Sequence, residues 1–377
     1  RDLIMLSRRS FVNSTLLALS PTVPGFLAQT ARSATKKKDA TILVVVQLDG
    51  GNDGINTVIP FKDEGYAKHR RSLRYSANRV EKITEAIGFH PAMTKLGKLF
   101  EKGQFGIVQG VGYPNPSRSH FESMAIWHSA ERDKEKRDSL GWLGRAFDHA
   151  KSDGPFAVHV GVGELPGALR GRRSIASGLT RPEDFILDPI LETDSSGKES
   201  TADDLSAFVR RYALDAGEAA KRMEKLLKKR NAGVSYPASQ LGNDLQLIAR
   251  LIKANAGTRV FYARQGGYDT PSGQFGPHQQ LLTTLSDSLD AFWKDLQASR
   301  LTERVMVLTF SEFGRTVKEN GSGGTDHGTA APVFLMGTKL KSTLVGKTPS
   351  LTDLDPKHGD LRSGIDFRQV HATLLKD

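Results

Sequence analysis

Cysteine is absent from the 377 residues. No disulfide, thiolate-held metal or cysteine nucleophile is therefore available to this chain. No apolar run approaches the roughly 18 residues that a membrane-crossing helix needs, so no transmembrane segment is expected in the mature chain. The G-x-G-x-x-G and P-loop patterns are missing, which removes the usual dinucleotide and nucleoside-triphosphate signatures. Aromatic residues make up only 7%, with no RNP-type pattern, zinc finger or helix-turn-helix signature. Nucleic acid is accordingly not expected as a partner. No internal repeat is present.

What is present is an ordinary globular composition, 38% hydrophobic and 25% charged, with a basic surplus of net +11. Such a surplus favours anionic substrates or partners. Part of it is local, since residues 221–230 carry six Lys or Arg against one Glu. That run lies on a helical pattern spanning 203–230 and also reads as a solvated face.

The first 34 residues read as an address. Ser7 to Val12 spell S-R-R-S-F-V, followed by a short apolar stretch with Pro21 and Pro24 inside it and small residues near Ala28 to Ala34. Paired arginines before a weak apolar region describe a twin-arginine export signal. The expected division is a signal over 1–34 and one domain over 35–377, exported to the periplasm or beyond. The chain starts at Arg1 without Met and stops at Asp377 inside an apolar-periodic stretch, so both ends read as incomplete.

Beyond the signal, strands and helices alternate. Residues 41–48, 105–112, 156–162, 258–262, 304–310 and 332–336 predict strands. Residues 91–102, 119–129, 241–254 and 279–298 have helical spacing. The fully apolar run at 41–48 suits a strand buried on both faces. The pattern predicts an α/β fold, a three-layer α/β/α sandwich with a mostly parallel central sheet. Residues 170–201, rich in Gly, Ser and Asp, read as a loop-rich insertion.

Ligands of open α/β sheets collect outside the carboxyl ends of the strands. Four strand ends here carry candidate chemistry. They offer Asp49 with Asp53; Ser117, Arg118, Ser119 and His120; Asp269 and then His278; and Glu312 and Arg315 with Asp326 and His327 beyond a Gly-rich loop. Asp and His sets without cysteine are what a hydrolytic divalent metal uses. A Ser at a helix start beside an Arg suits an anionic ester. Each group also has a plain structural reading. Asp49-Gly-Gly is a tight turn, Ser117 a helix cap, Asp269 a turn cap, and Asp326 with His327 a loop pair.

The motifs L-D-G-G-N-D-G (48–54), Y-P-N-P-S-R-S-H-F-E-S-M (113–124), G-G-Y-D-T (266–270), F-S-E-F-G-R (310–315) and G-G-T-D-H-G (323–328) resemble the bacterial family known as domain of unknown function 1501. The likeness runs from about Asp39 to the end of the chain. It implies an alkaline phosphatase-like fold, in a branch of the alkaline phosphatase and sulfatase superfamily. By that resemblance Asp49, Asp326 and His327 hold one divalent metal (Zn, Mn, Ca or Mg), and Asp269 and His278 serve a second. Ser117 or Ser119 is the nucleophile, with Arg118 and His120 near the ester. Asp53, Glu312, Arg315 and His371 take supporting or substrate roles. Pro271 stands where the family usually has His, and His371 where it more often has Tyr. Pro114 stands where a sulfatase places Cys or Ser, so formylglycine chemistry is not expected.

The reading is an exported, metal-dependent hydrolase of phosphate or sulfate esters with a serine nucleophile. Its substrate is an anionic ester, such as a sulfated or phosphorylated glycan. The alternatives are a catalytically degenerate member that binds an anionic or carbohydrate ligand, or a structural partner in the cell envelope.

Overall fold

In the computed structural model the run I-L-V-V-V-Q-L forms β1 (Ile42–Leu48) at the middle of the sheet. Its side chains divide by parity, as a pleated strand requires. Val44 and Val46 enter one core and Val45 the other. The structure describes residues 40–150, 156–174, 176–180, 233–255, 257–357 and 359–376. The expected export signal, the helical pattern at 203–230 with its basic run at 221–230, and most of the expected insertion at 170–201 lie outside them.

Among the described residues nine strands make the main sheet: β1, β5 (Phe105–Gly112), β6 (Ala157–Val160), β7 (Ala176–Leu179), β8 (Val260–Gln265), β9 (Val305–Ser311), β10 (Ala331–Met336), β11 (Leu344–Val345) and β12 (Ile365–Asp366). The order is β11-β5-β10-β9-β1-β8-β6-β7, with β12 also on β5. All pairings are parallel except those of β10 with β5 and β9. β5 thus points the same way as β1, β8 and β9, and the exits of all four open on one edge of the sheet.

Among the described residues eight α-helices accompany the strands: α1 (Gly54–Thr57), α2 (Glu64–His69), α3 (Thr94–Glu101), α4 (His120–Ser129), α5 (Trp142–Ala150), α6 (Gln240–Lys253), α7 (Phe275–Ala298) and α8 (Phe367–Lys376). α3, α6 and α7 bury Leu96, Leu245, Ile248, Leu289 and Phe292 against one face of the sheet. α4, α5 and α8 bury Ile126, Trp127, Leu143 and Phe367 against the other. This is the expected three-layer arrangement. A small sheet of β2 (Val58–Ile59), β3 (Glu81–Lys82) and β4 (Gly88–Phe89) was not legible in the pattern. The strand expected to end at Tyr262 continues to Gln265, which puts Arg264 on β8. Among the described residues no helix is long and apolar enough to cross a membrane.

Candidate metal centre

The exit of β5 runs through Tyr113 to Ser119 into α4. Ser119 has extended backbone and its hydroxyl accepts from the Glu122 amide at 3.5 Å, a weak N-cap. The helix therefore begins at His120, and the imidazole stands in its first turn above the strand ends. From β8 comes Gly266-Gly-Tyr-Asp269, whose Tyr268 amide donates to the Asp49 carbonyl at 3.1 Å. Gly50 (φ +115°) lets these two exits touch: a Cβ there would stand 2.3 Å from the Asp269 amide nitrogen. Only glycine meets both demands.

His120, Asp269 and His327 converge, with one donor atom from each lying within 4.8 Å of the others. His120 Nε2 is 3.5 Å from Asp269 Oδ2, and His327 Nε2 is 3.5 Å from Asp269 Oδ1. The other nitrogen of each ring is already engaged. His327 Nδ1 lies 2.7 Å from the Arg118 carbonyl, which can only accept, so Nδ1 carries the proton. His120 Nδ1 lies 2.8 Å from Glu312 Oε1, which also accepts the Gly50 amide at 2.9 Å. Both rings thus turn Nε2 towards one carboxylate. His120 Nε2 is buried with no hydrogen-bond partner. Phe313 packs against both rings, at centroid distances of 4.9 and 5.0 Å. Metal-ligating histidines characteristically have their second nitrogen fixed in this way. Two imidazoles and a carboxylate fit a divalent ion, and the side chain of Asp269 is 50% exposed, leaving the site open to solvent.

Arg315 fastens the exits together. Its Nε donates to Gly51 O at 2.7 Å and Nη1 to Thr325 O at 2.9 Å. Nη2 donates to Tyr268 O at 3.0 Å, to Asp269 Oδ1 at 2.7 Å and to Gly50 O. Burial pushes the Asp269 carboxyl up, but the hydrogen bond and charge of Arg315 outweigh it, and the net shift is downward. Asp269 is thereby kept ionised, as a metal ligand must be.

The other expected site residues are placed as follows. Asp49 leaves β1 beside this cluster and accepts from the Gln47 amide. Its carboxyl is raised, chiefly by burial, with Gln47 and Arg264 opposing. Asp53 is buried in an ion pair with Arg70, at 2.5 Å. His278 is not brought to the cluster. Its Nε2 meets Asn52 Oδ1 at 3.0 Å, and burial depresses its pKa to about 4. Asp326 is exposed and accepts from Asn320 at 3.0 Å. His371 is buried flat on Trp142, with centroids 4.0 Å apart, and burial lowers it to about 3. Arg118 pairs with Asp360 at 2.5 Å. The Ser117 hydroxyl accepts the Ser119 amide at 3.2 Å, and Ser119 is exposed one residue before His120. The set expected for a second metal, Asp269 with His278, is thus not assembled. Sequence reasoning missed Phe313, although it lies inside F-S-E-F-G-R, and Gln274, whose Oε1 accepts from Thr270 and Thr325 and so ties the two ligand loops.

Residues 40–377 match the family described as protein of unknown function (DUF1501). No curated protein matches the chain. Among solved structures the chain is similar to the C-terminal periplasmic domain of EptC from Escherichia coli in complex with Zn, at 9% identity and TM-score 0.40, covering 81% of this chain and 75% of that one. It is similar to an alkaline phosphatase superfamily protein from Vibrio parahaemolyticus, at 10% identity and TM-score 0.39, covering 91% and 78%. A third likeness is to BT1596, a 2-O GAG sulfatase, at 10% identity and TM-score 0.37, covering 79% and 64%.

Proposed function

This chain belongs to the DUF1501 family, and from that premise we propose that it is an exported, metal-dependent hydrolase of phosphate or sulfate esters. One observation carries the reading: His120 and His327 each have Nδ1 fixed by an acceptor and Nε2 turned to Asp269. His120, Asp269 and His327 would hold the ion, with Asp49 and Glu312 beside it. A bound divalent ion supplies Lewis-acid polarisation of the ester oxygens.

The chain's own residues do the rest. Glu312 and the Arg118 carbonyl orient the two imidazoles. Arg315 keeps Asp269 ionised and in place. Ser119 is taken as the nucleophile, because it is exposed and precedes His120 in the chain, and the amide contact its hydroxyl accepts, from Glu122 at 3.5 Å, is longer than the 3.2 Å contact that the Ser117 hydroxyl accepts from the Ser119 amide. Its oxygen attacks phosphorus or sulfur, the bond to the alcohol oxygen breaks, and the alcohol leaves with the serine proton. Water then cleaves the serine ester and restores the hydroxyl. A cavity of about 500 Å³ beside Ser117, lined by Glu122, Glu131 and Asp133 as well as Arg132 and Arg368, would take an uncharged organic part of the substrate. The net charge of +11 supports an anionic substrate such as a sulfated or phosphorylated glycan.

The test is hydrolysis of p-nitrophenyl phosphate and p-nitrophenyl sulfate by the full chain, before and after chelation and metal return. Activity lost on chelation, restored by metal and absent in Ser119→Ala supports the proposal. Turnover indifferent to chelation contradicts it. The bond of His278 to Asn52, with Pro271 in place of a family His, favours a second reading in which a single ion binds an anionic ligand without turnover. Metal binding without hydrolysis of either ester would select it.

A further inference from the structure

We propose that Arg264 is the side chain that grips the tetrahedral oxyanion, phosphoryl or sulfuryl, of the ligand bound at this edge of the sheet. The inference rests on the anionic-ligand reading above. It replaces Arg118, the arginine that sequence reasoning put in this role.

The register places Arg264. It lies on β8 opposite Gln47 of β1. Val260 and Tyr262, two and four residues earlier, belong to the core on the α4 side of the sheet. Side chains two apart on a strand share a face, so Arg264 lies on the α4 side too. On that face Gln47 donates to Asp49 and meets His128 of α4 at 2.8 Å. His120, eight residues earlier on the same helix, reaches the metal cluster. Arg264 therefore borders the strand end that carries Asp49 and faces the helix that carries His120.

Arg70, Arg118 and Arg315, also near these exits, each pair with a carboxylate. Arg70 is closed against Asp53, with no exposed side-chain surface on either partner. Arg118 pairs with Asp360, whose side chain is 2% exposed. Arg315 spends all three nitrogens on the loops. Arg264 differs: among the described residues no carboxylate lies within 4.0 Å of it. Its Nη2 donates to the Glu164 carbonyl at 3.2 Å, and its Nε is buried with no partner. Gly163 (φ +105°) crosses beside the guanidinium, where a Cβ would stand 3.6 Å from Nη1, so no side chain of that residue covers it. A partly exposed guanidinium with unspent donors matches an oxyanion in fork geometry.

The experiment is calorimetric titration of inorganic phosphate and, separately, sulfate into the full chain. It compares wild type, Arg264→Met and Arg264→Lys, with metal content and thermal melting recorded on every sample. Phosphate affinity is expected to fall at least about tenfold in Arg264→Met and less in Arg264→Lys, with metal content unchanged. The anion bound more tightly by wild type identifies the ester class. If Arg264→Met is poorly folded, Arg264→Lys decides, because a lysine that keeps full affinity shows that the guanidinium fork is not used. Wild-type affinity in a folded, metal-loaded Arg264→Met overturns the proposal and leaves the metal centre standing. If wild type holds no metal, the metal reading fails alone: an Arg264-dependent affinity for either anion still supports the assignment, and no affinity for either overturns it.

Discussion

Arg315 and Asp269 meet at 2.7 Å, a guanidinium with no exposed side-chain surface holding a carboxylate that is 50% exposed. The contact joins the buried scaffold to the open chemistry. The same guanidinium binds carbonyls on the exits of β1 and β8 and on the loop before His327. Arg315→Lys cannot serve acceptors in so many directions. It should cost about 2–4 kcal/mol of stability and loosen the metal about tenfold or more. Urea unfolding and a metal titration check both, and a variant with wild-type metal affinity contradicts the role.

Glu312 acts through His120. It is 2% exposed and accepts from Gly50, Ser311 and His120. Glu312→Gln keeps the shape and removes the charge. Metal affinity should drop about 10- to 100-fold, with stability changed by about 1 kcal/mol or less. Equal losses in both would make Glu312 a purely structural residue.

Gly50 sets the distance between two exits. Gly50→Ala places a methyl 2.3 Å from the Asp269 amide at a φ of +115°, a strain expected to cost more than about 2 kcal/mol. Thermal melting and metal content should fall together. A variant that melts like wild type would remove this close approach from the account.

Acid should weaken the fold in two windows. His278 has a pKa of about 4 in the folded chain, from burial, against about 6.5 unfolded. Between those values the unfolded chain binds more protons, so stability falls as pH drops from about 6.5 to 4. Asp53 is held at about 2: burial opposes ionisation and Arg70 outweighs it. Its unfolded value is near 3.9, so its contribution is present above about 4 and is lost as pH falls through about 2. Urea midpoints across pH should show a slope between 6.5 and 4 that is reduced in His278→Gln. An unchanged slope excludes His278 as a cause. Asp53→Asn should cost about 3–5 kcal/mol at neutral pH, because it leaves Arg70 buried and unpaired.

The layers were legible in the sequence because β1, β5 and β9 are largely apolar runs that suit a covered sheet. The types of ligand were legible too, since His120, Asp269 and His327 all follow strands. Their grouping was not. Asp326 and His327 are neighbours in sequence, but His327 forms a β-bridge with Arg315. Successive side chains in extended backbone point to opposite sides, so His327 faces the cluster while Asp326 faces solvent. His278 stands in the first turn of α7, and nothing in its spacing reveals that its ring turns to Asn52. The role of Arg315 depends on carbonyls from three separated segments, which no local motif encodes.

The central claim is tested most directly by metal content. Elemental analysis by inductively coupled plasma mass spectrometry should be made on chain purified without chelator or nickel, alongside His120→Ala with His327→Ala, His278→Gln and Asp326→Asn. The account predicts about one divalent ion per chain, lost when the two ligand histidines are removed and kept in His278→Gln and Asp326→Asn. A folded wild type that takes up no metal, or a metal lost with His278 or Asp326 instead, would contradict it.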